Sequence, residues 1–220
     1  MPPEATVDDT RTLILMRHGE TDWNRQRRVM GSADIPLNED GRRQCLAAAG
    51  VLGGFGVSRI ASSPLVRAVE SAAIVAAELG VPIDHDPDLE EVKFGRWQGL
   101  RYEEIVRDPE YAAFSEDPLN RPTPGGETIL DVQRRGVAAL ERAEPGERVV
   151  FVSHGDIIRA AICHYMGIPV AEFRRIRVDN CGLTAITERR GRPEVKFVNT
   201  LADPIRAWEP LHWSKMIQTT

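Results

Sequence analysis

Two short segments of the chain share a pattern that could do chemistry. Leu13-Ile14-Leu15-Met16 runs into Arg17-His18-Gly19-Glu20, and Val149-Val150-Phe151-Val152 runs into Ser153-His154-Gly155-Asp156. Each is an apolar run of the kind that forms a buried strand, followed by a His and then by a Gly that allows a tight turn. In a parallel sheet both His would stand at the carboxyl edge, where open α/β sheets bind their ligands. If the two strands are neighbours, the imidazoles face one pocket. The remaining His have no such match: His85 lies among Asp84 and Asp86 in an expected loop, His164 in an expected helix and His212 in an irregular tail.

Further donors stand close to these junctions. Arg17 adjoins the first His, Asn24 follows six residues after His18, and Arg67 lies near the start of the helix expected after a second strand. The guanidinium fork matches the oxygens of phosphate. The turn at Gly155 opens a helix whose free N–H groups favour an anion. Two Arg, two His, an amide and a helix N-terminus describe a site for a doubly charged tetrahedral anion; a carboxylate would need fewer donors. The plainer reading pairs Arg17 and Arg67 with surface carboxylates, but an Arg inside a strand–turn junction beside a His argues against it. The runs Arg25–Arg28, Arg174–Arg177 and Arg189–Arg192 read as solvated faces and are not assigned to the site.

The elements that must position these residues alternate between apolar runs and helical patterns, which implies an α/β fold: a three-layer sandwich with a mostly parallel central sheet flanked by helices. Asn38 to Phe55 reads as a helix with Cys45, Leu46, Ala49 and Leu52 on one face. Arg59 to Ser62 is a second strand; Ser63-Pro64 then supplies an N-cap and a first-turn Pro for a helix through Val66, Val69, Ala73, Ile74 and Ala77 that stops at Gly80. The Pro- and Gly-rich stretch of about 92–127 is expected to be an excursion over the sheet edge. Its Trp97, Tyr102, Tyr111 and Phe114 are assigned to packing rather than to closure over an organic group. Thr128 and Asp131 form a capping-box variant for a helix whose buried stripe is Ile129, Val132, Gly136, Val137 and Leu140. Asp156 is expected to cap the next helix, which buries Ile158, Ala161, Ile162 and Tyr165 and ends at Gly167. Cys181 to Glu188 and Glu194 to Thr200 read as a hairpin turning at Arg190-Gly191. A tail with Trp208, Trp213 and Met216 shows no clear period.

Composition narrows the function. The 220 residues suit a single domain (1–220, core about 12–200), and 28 basic against 33 acidic residues leave a formal charge of -5, which disfavours general nucleic-acid binding. Three scattered Cys are too few for a disulfide framework or a zinc site, and Cys45 and Cys163 read as core residues. No apolar run approaches the roughly 18 residues that span a membrane, and the N-terminus lacks a signal-peptide pattern, so the expectation is a soluble cytoplasmic protein.

Arg17-His18-Gly19-Glu20-Thr21-Asp22-Trp23-Asn24 resembles the signature of the histidine phosphatase superfamily, in its phosphoglycerate mutase-like branch. Further similar segments follow in family order: Ser62 to Ala68, Leu89 to Gly99, Pro124 to Thr128, and Ser153-His154-Gly155. The resemblance implies that His18 is a nucleophile that becomes phosphorylated. It implies that Arg17, Arg67 and His154 complete the phosphate-binding core, with Asn24, Gly155 and Gly31 as further substrate-binding positions. It also implies that Glu91, placed by Gly95 four residues on, protonates the leaving oxygen, with Glu90 as the fallback. Met30 stands where many relatives carry a polar residue. Neither a metal nor an organic cofactor is implied. The implied partner is a small phosphorylated metabolite such as a sugar phosphate or phosphoglycerate. Relatives often dimerise, which keeps a homodimer among the expectations. The segment between Glu91 and His154 is shorter than in glycolytic mutases, so a phosphatase is expected ahead of a phosphoglycerate mutase. A phospho-ligand-binding module without turnover is the remaining alternative.

Overall fold

The computed structural model describes residues 9–202. Its six strands are β1 (Thr10–Arg17), β2 (Arg59–Ser62), β3 (Ile83–His85), β4 (Arg148–Ser153), β5 (Leu183–Arg189) and β6 (Arg192–Thr200). They form one sheet in the order β3-β2-β4-β1-β5-β6. The first four in that order run parallel, β5 is antiparallel to β1, and β6 is antiparallel to β5. The helices are α1 (Asp22–Arg25), α2 (Glu39–Leu52), α3 (Val66–Leu79), α4 (Tyr102–Ile105), α5 (Pro109–Glu116), α6 (Ile129–Leu140) and α7 (Gly155–Met166).

The central strands are apolar throughout because both sheet faces are covered. Successive side chains alternate between the faces. Ile14 and Met16 of β1 pack with Cys45, Ala48 and Leu52 of α2 and Ala68, Ala72 and Val75 of α3. Leu13 and Leu15 pack on the other side with Ala139 and Leu140 of α6 and Ile158, Ala161 and Ile162 of α7. This is the expected three-layer arrangement. The β5–β6 hairpin turns at Arg190-Gly191 with both residues at positive φ (54° and 70°), the requirement of a two-residue turn that matches strand twist.

The excursion has a small core of its own. Trp97, Ile105 and Phe114 are buried there, as the packing assignment expects. The guanidinium of Arg174 stacks over the rings of Tyr111, Phe114 and Phe173 and ties this core to the main body.

Several local expectations are corrected. Leu46 is half exposed, because the buried stripe of α2 runs through Cys45, Ala49 and Leu52, and Leu46 lies one helical step off it. α3 starts at Val66, not at Pro64; its N-cap is Leu65, and Ser63 Oγ accepts the Leu65 N–H instead. Asp156 lies inside the first turn of α7 and pairs with Arg159 at 2.8 Å, while the N-cap is His154. The first hairpin strand starts at Leu183, since Cys181 adopts a left-handed conformation (φ 53°), and its partner starts two residues before Glu194. His85 ends β3 rather than sitting in a loop. The tail with Trp208, His212, Trp213 and Met216 lies outside the described residues. No helix among the described residues is long and apolar enough to cross a membrane.

Candidate active site

β1 and β4 are adjacent and parallel, with Arg17 opposite Ser153, so the next residue on each strand is a His at the carboxyl edge. His18 N–H donates to the Ser153 carbonyl at 3.0 Å. The two imidazoles are fully buried, with ring centroids 5.2 Å apart and a tilt of 54°.

The hydrogen bonds assign the His18 tautomer. His18 Nδ1 lies 2.7 Å from the Gly19 carbonyl, which can only accept, so Nδ1 carries the proton and Nε2 keeps its lone pair. Ser63 Oγ lies 2.8 Å from His154 Nε2 and also accepts the Leu65 N–H, which leaves the hydroxyl proton available to Nε2. His154 Nδ1 has no protein partner; in the tautomer where Nε2 accepts from Ser63, it carries the ring proton. Burial pushes the pKa of both imidazoles well below the ordinary 6.5, and the charges of Arg67 and Arg17 push the same way. Both rings are neutral at pH 7.

Two guanidiniums supply the positive charge. Arg67, in the first turn of α3, is buried; it donates to the carbonyls of Ala33 (2.9 Å) and Gly31 (2.7 Å). Arg17 donates to the carbonyl of Val178 at 2.9 Å. The Nε of each is buried without a partner. Burial lowers both pKa values, that of Arg67 to about 10, which leaves Arg67 charged at neutral pH. The buried side-chain nitrogens left without a partner among the described residues are thus Arg17 Nε, Arg67 Nε and His154 Nδ1, all from the expected anion site.

Glu91 keeps some surface open, yet the surrounding protein withdraws water from its carboxyl. That burial, with repulsion from Asp156, raises its pKa from 4.5 to about 7, against the opposing pull of the Val92 N–H, Arg67 and Arg17. Gly155 opens α7, and a side chain there would collide with Arg159 at 2.9 Å and come within 3.8 Å of Arg17 Nε. Asn24 Oδ1 is occupied by the Thr21 N–H, at 3.0 Å, in the capping box of α1. Gly31, at positive φ, contributes its carbonyl to Arg67. Met30 is buried with its sulfur 3.2 Å from the Thr21 hydroxyl.

Sequence reasoning missed a supporting set. Ser71 Oγ accepts the Gly19 N–H (3.0 Å) and donates to the Arg67 carbonyl (2.6 Å). Asn180 donates to the His18 carbonyl at 2.9 Å. Cys181 N–H bonds the Arg17 carbonyl, and its sulfur lies 3.5 Å from that of Cys45, beneath Gly19. Gly41 meets the Glu20 backbone so closely that a Cβ would lie 2.1 Å from its oxygen. Apart from the Ser71–Arg67 bond within α3, each of these contacts joins segments distant in the chain and leaves no local sequence signal. Among the described residues no cluster of three His, Cys, Asp or Glu could hold a metal ion.

Residues 13–201 match the family described as the histidine phosphatase superfamily (branch 1). The chain belongs to that superfamily. Among curated histidine phosphatase relatives, the phosphoglycerate mutase-like protein 4 of Arabidopsis thaliana is 39% identical over 160 residues, 69% of this chain and 70% of that protein. A probable phosphoglycerate mutase of Cronobacter sakazakii is 32% identical over 180 residues, covering 79% and 83%. Among solved structures, a mycobacterial glucosyl-3-phosphoglycerate phosphatase complexed with VO3 superposes with a TM-score of 0.77 at 34% identity, covering 86% of this chain and 99% of that one. A phosphoserine phosphatase of Entamoeba histolytica, in complex with 3-phosphoglyceric acid, gives 0.77 at 28% identity, covering 86% and 97%. Phosphatase or mutase chemistry is the coarse functional conclusion.

Proposed function

We propose that this histidine phosphatase hydrolyses small phosphate monoesters through a phosphohistidine on His18. The observation that carries the reading is the set of three buried donors, Arg17 Nε, Arg67 Nε and His154 Nδ1, without protein partners beside an unprotonated His18 Nε2. A phosphoryl group has the charge and the oxygens to satisfy them.

His18 Nε2 attacks phosphorus in line, and the bond to the ester oxygen breaks as the N–P bond forms. Arg17, Arg67, His154 Nδ1–H and the Gly155 N–H hold the equatorial oxygens, and fixed donors of this kind need no reorganisation as charge spreads. Asn24 adds its amide nitrogen at the rim. Glu91, with a pKa of about 7, gives its proton to the leaving alkoxide. The resulting carboxylate takes a proton from water, whose oxygen attacks phosphorus. The N–P bond breaks and inorganic phosphate leaves, restoring neutral His18 and protonated Glu91. No step calls on a metal or an organic cofactor.

Hydrolysis is favoured over mutase transfer because the resemblance implies a segment between Glu91 and His154 shorter than that of glycolytic mutases, and Arg96 within it is engaged by Asp108 and Glu110. The mutase reading has its own support in the names of the curated relatives. A screen of phosphorylated metabolites separates the two. Phosphate release from sugar phosphates, phosphoserine or phosphoglycerate supports hydrolysis. Isomerisation of 3-phosphoglycerate, stimulated by 2,3-bisphosphoglycerate and faster than phosphate release, would replace it.

A further inference from the structure

Glu91 stands on irregular backbone between the short 3-10 turns Pro87–Leu89 and Gly95–Trp97. A proton donor must sit within a few tenths of an ångström of its productive place, and irregular backbone does not ensure this unaided. The hold comes from α6. Arg135 Nη1 donates to the carbonyls of Asp88 (2.9 Å) and Glu90 (2.5 Å), and Nη2 reaches that of Glu91 (3.3 Å). Its Nε donates to Glu127 Oε1 at 2.9 Å. The other oxygen of Glu127 accepts the Lys93 N–H at 2.8 Å. One mostly buried ion pair, its side chains 17% and 13% exposed, therefore grips the backbone on both sides of Glu91.

The grip closes from the far side as well. Thr123 Oγ1 donates to the Lys93 carbonyl at 2.6 Å, and Ser153, just before His154, donates to that of Leu89 at 2.7 Å. Gly125 lies so close that a Cβ would stand 1.9 Å from the Lys93 oxygen. The two ends of the excursion thus meet beside Glu91, and Arg135 and Glu127 pin the junction.

We infer that Arg135 and Glu127 are positioning residues for the proton donor, setting where the Glu91 carboxyl meets the leaving oxygen. This rests on the reading of Glu91 as the acid. A pair that only supports the fold would affect all substrates alike. A pair that places the acid affects substrates in proportion to their need for a proton: p-nitrophenyl phosphate needs little help in departure, phenyl phosphate needs more, and an alkyl phosphate most. The quantity to compare is kcat/KM, which includes only steps up to the phosphoenzyme and so omits the base role of Glu91 in hydrolysis.

The test measures kcat/KM for p-nitrophenyl and phenyl phosphate in the full chain and in Glu91→Gln, Arg135→Met, Arg135→Lys and Glu127→Gln. Glu91→Gln is expected to lose about 100-fold more on phenyl phosphate than on p-nitrophenyl phosphate. Arg135→Met and Glu127→Gln are expected to lose about tenfold more on phenyl phosphate, the cost of a displaced but present acid. Arg135→Lys keeps the charge but not the planar fork, and is expected to retain most of that differential loss. Should Arg135→Met fail to fold, Glu127→Gln, which keeps shape and size, decides the matter alone. Equal losses on both substrates in the Glu127 and Arg135 variants, with Glu91→Gln still selective, would overturn the positioning role. Equal losses in Glu91→Gln itself would remove the acid reading, and the positioning role with it.

Discussion

Ser63 Oγ lies 2.8 Å from His154 Nε2, and this contact engages one edge of the second imidazole and leaves Nδ1 to face an anion. An anion beside Nδ1, the nitrogen left without a protein partner, selects the tautomer with the proton there and the Ser63 proton given to Nε2. Ser63→Ala is expected to lower kcat/KM about tenfold, the cost of one buried polar group losing its partner. Steady-state kinetics with an aryl phosphate check this, and ¹⁵N NMR of His154 should show a mixture of tautomers in the variant where the parent shows one.

The alkaline limb of the pH profile belongs to Glu91. Its carboxyl must be protonated to act, and its pKa is about 7. For phenyl phosphate, kcat/KM is therefore expected to fall as pH rises through about 7, and Glu91→Gln should lack that fall. His18 adds no limb above pH 6.5, because its pKa is held well below that value.

The same shift affects stability. Folding raises the Glu91 pKa from 4.5 to about 7, so the folded state binds this proton more tightly than the unfolded chain does. The stability it contributes is fully present below about 4.5 and is lost as pH rises through about 7. Glu91→Gln never ionises, so thermal melts should show its Tm gaining on the parent between those values and staying ahead above them. The buried neutral His18 and His154 act oppositely as pH falls, but they are common to both proteins, and the difference isolates Glu91.

Gly41 sets how closely α2 approaches the turn after His18. A methyl group there would stand 2.1 Å from the Glu20 oxygen and 2.7 Å from its nitrogen. Backbone, not a flexible side-chain end, must yield. Gly41→Ala is expected to cost about 3 kcal/mol, at the upper end of overpacking effects, and to reduce turnover by shifting His18. Denaturant unfolding and kinetics on the folded fraction measure the two effects separately.

The junctions Arg17-His18-Gly19 and Ser153-His154-Gly155 were legible because burial on both sheet faces makes the strands continuous apolar runs, so each His marks a strand end. Arg67 was legible from its place early in α3, although the cap beside it was not. Ser63 has the residue type of an N-cap, yet it serves His154, a choice made by a side chain from another strand. Asp156 likewise has the residue type of a cap, but it lies inside the first turn of α7 and spends its carboxylate on Arg159. Ser71, Gly41, Asn180 and Arg135 were not legible because their partners lie far off in the chain, and no periodicity encodes such a contact. Met30 is buried against the Thr21 hydroxyl, a contact between positions nine residues apart.

The central claim is covalent: phosphorus becomes bonded to His18 Nε2 during turnover. Rapid quench into alkali during hydrolysis of p-nitrophenyl phosphate, followed by peptide mass spectrometry, tests it most directly. The account predicts a base-stable, acid-labile phosphoryl group on His18, absent from His18→Ala, which should also lose turnover. Phosphate on another residue, or turnover that survives in His18→Ala, would contradict it.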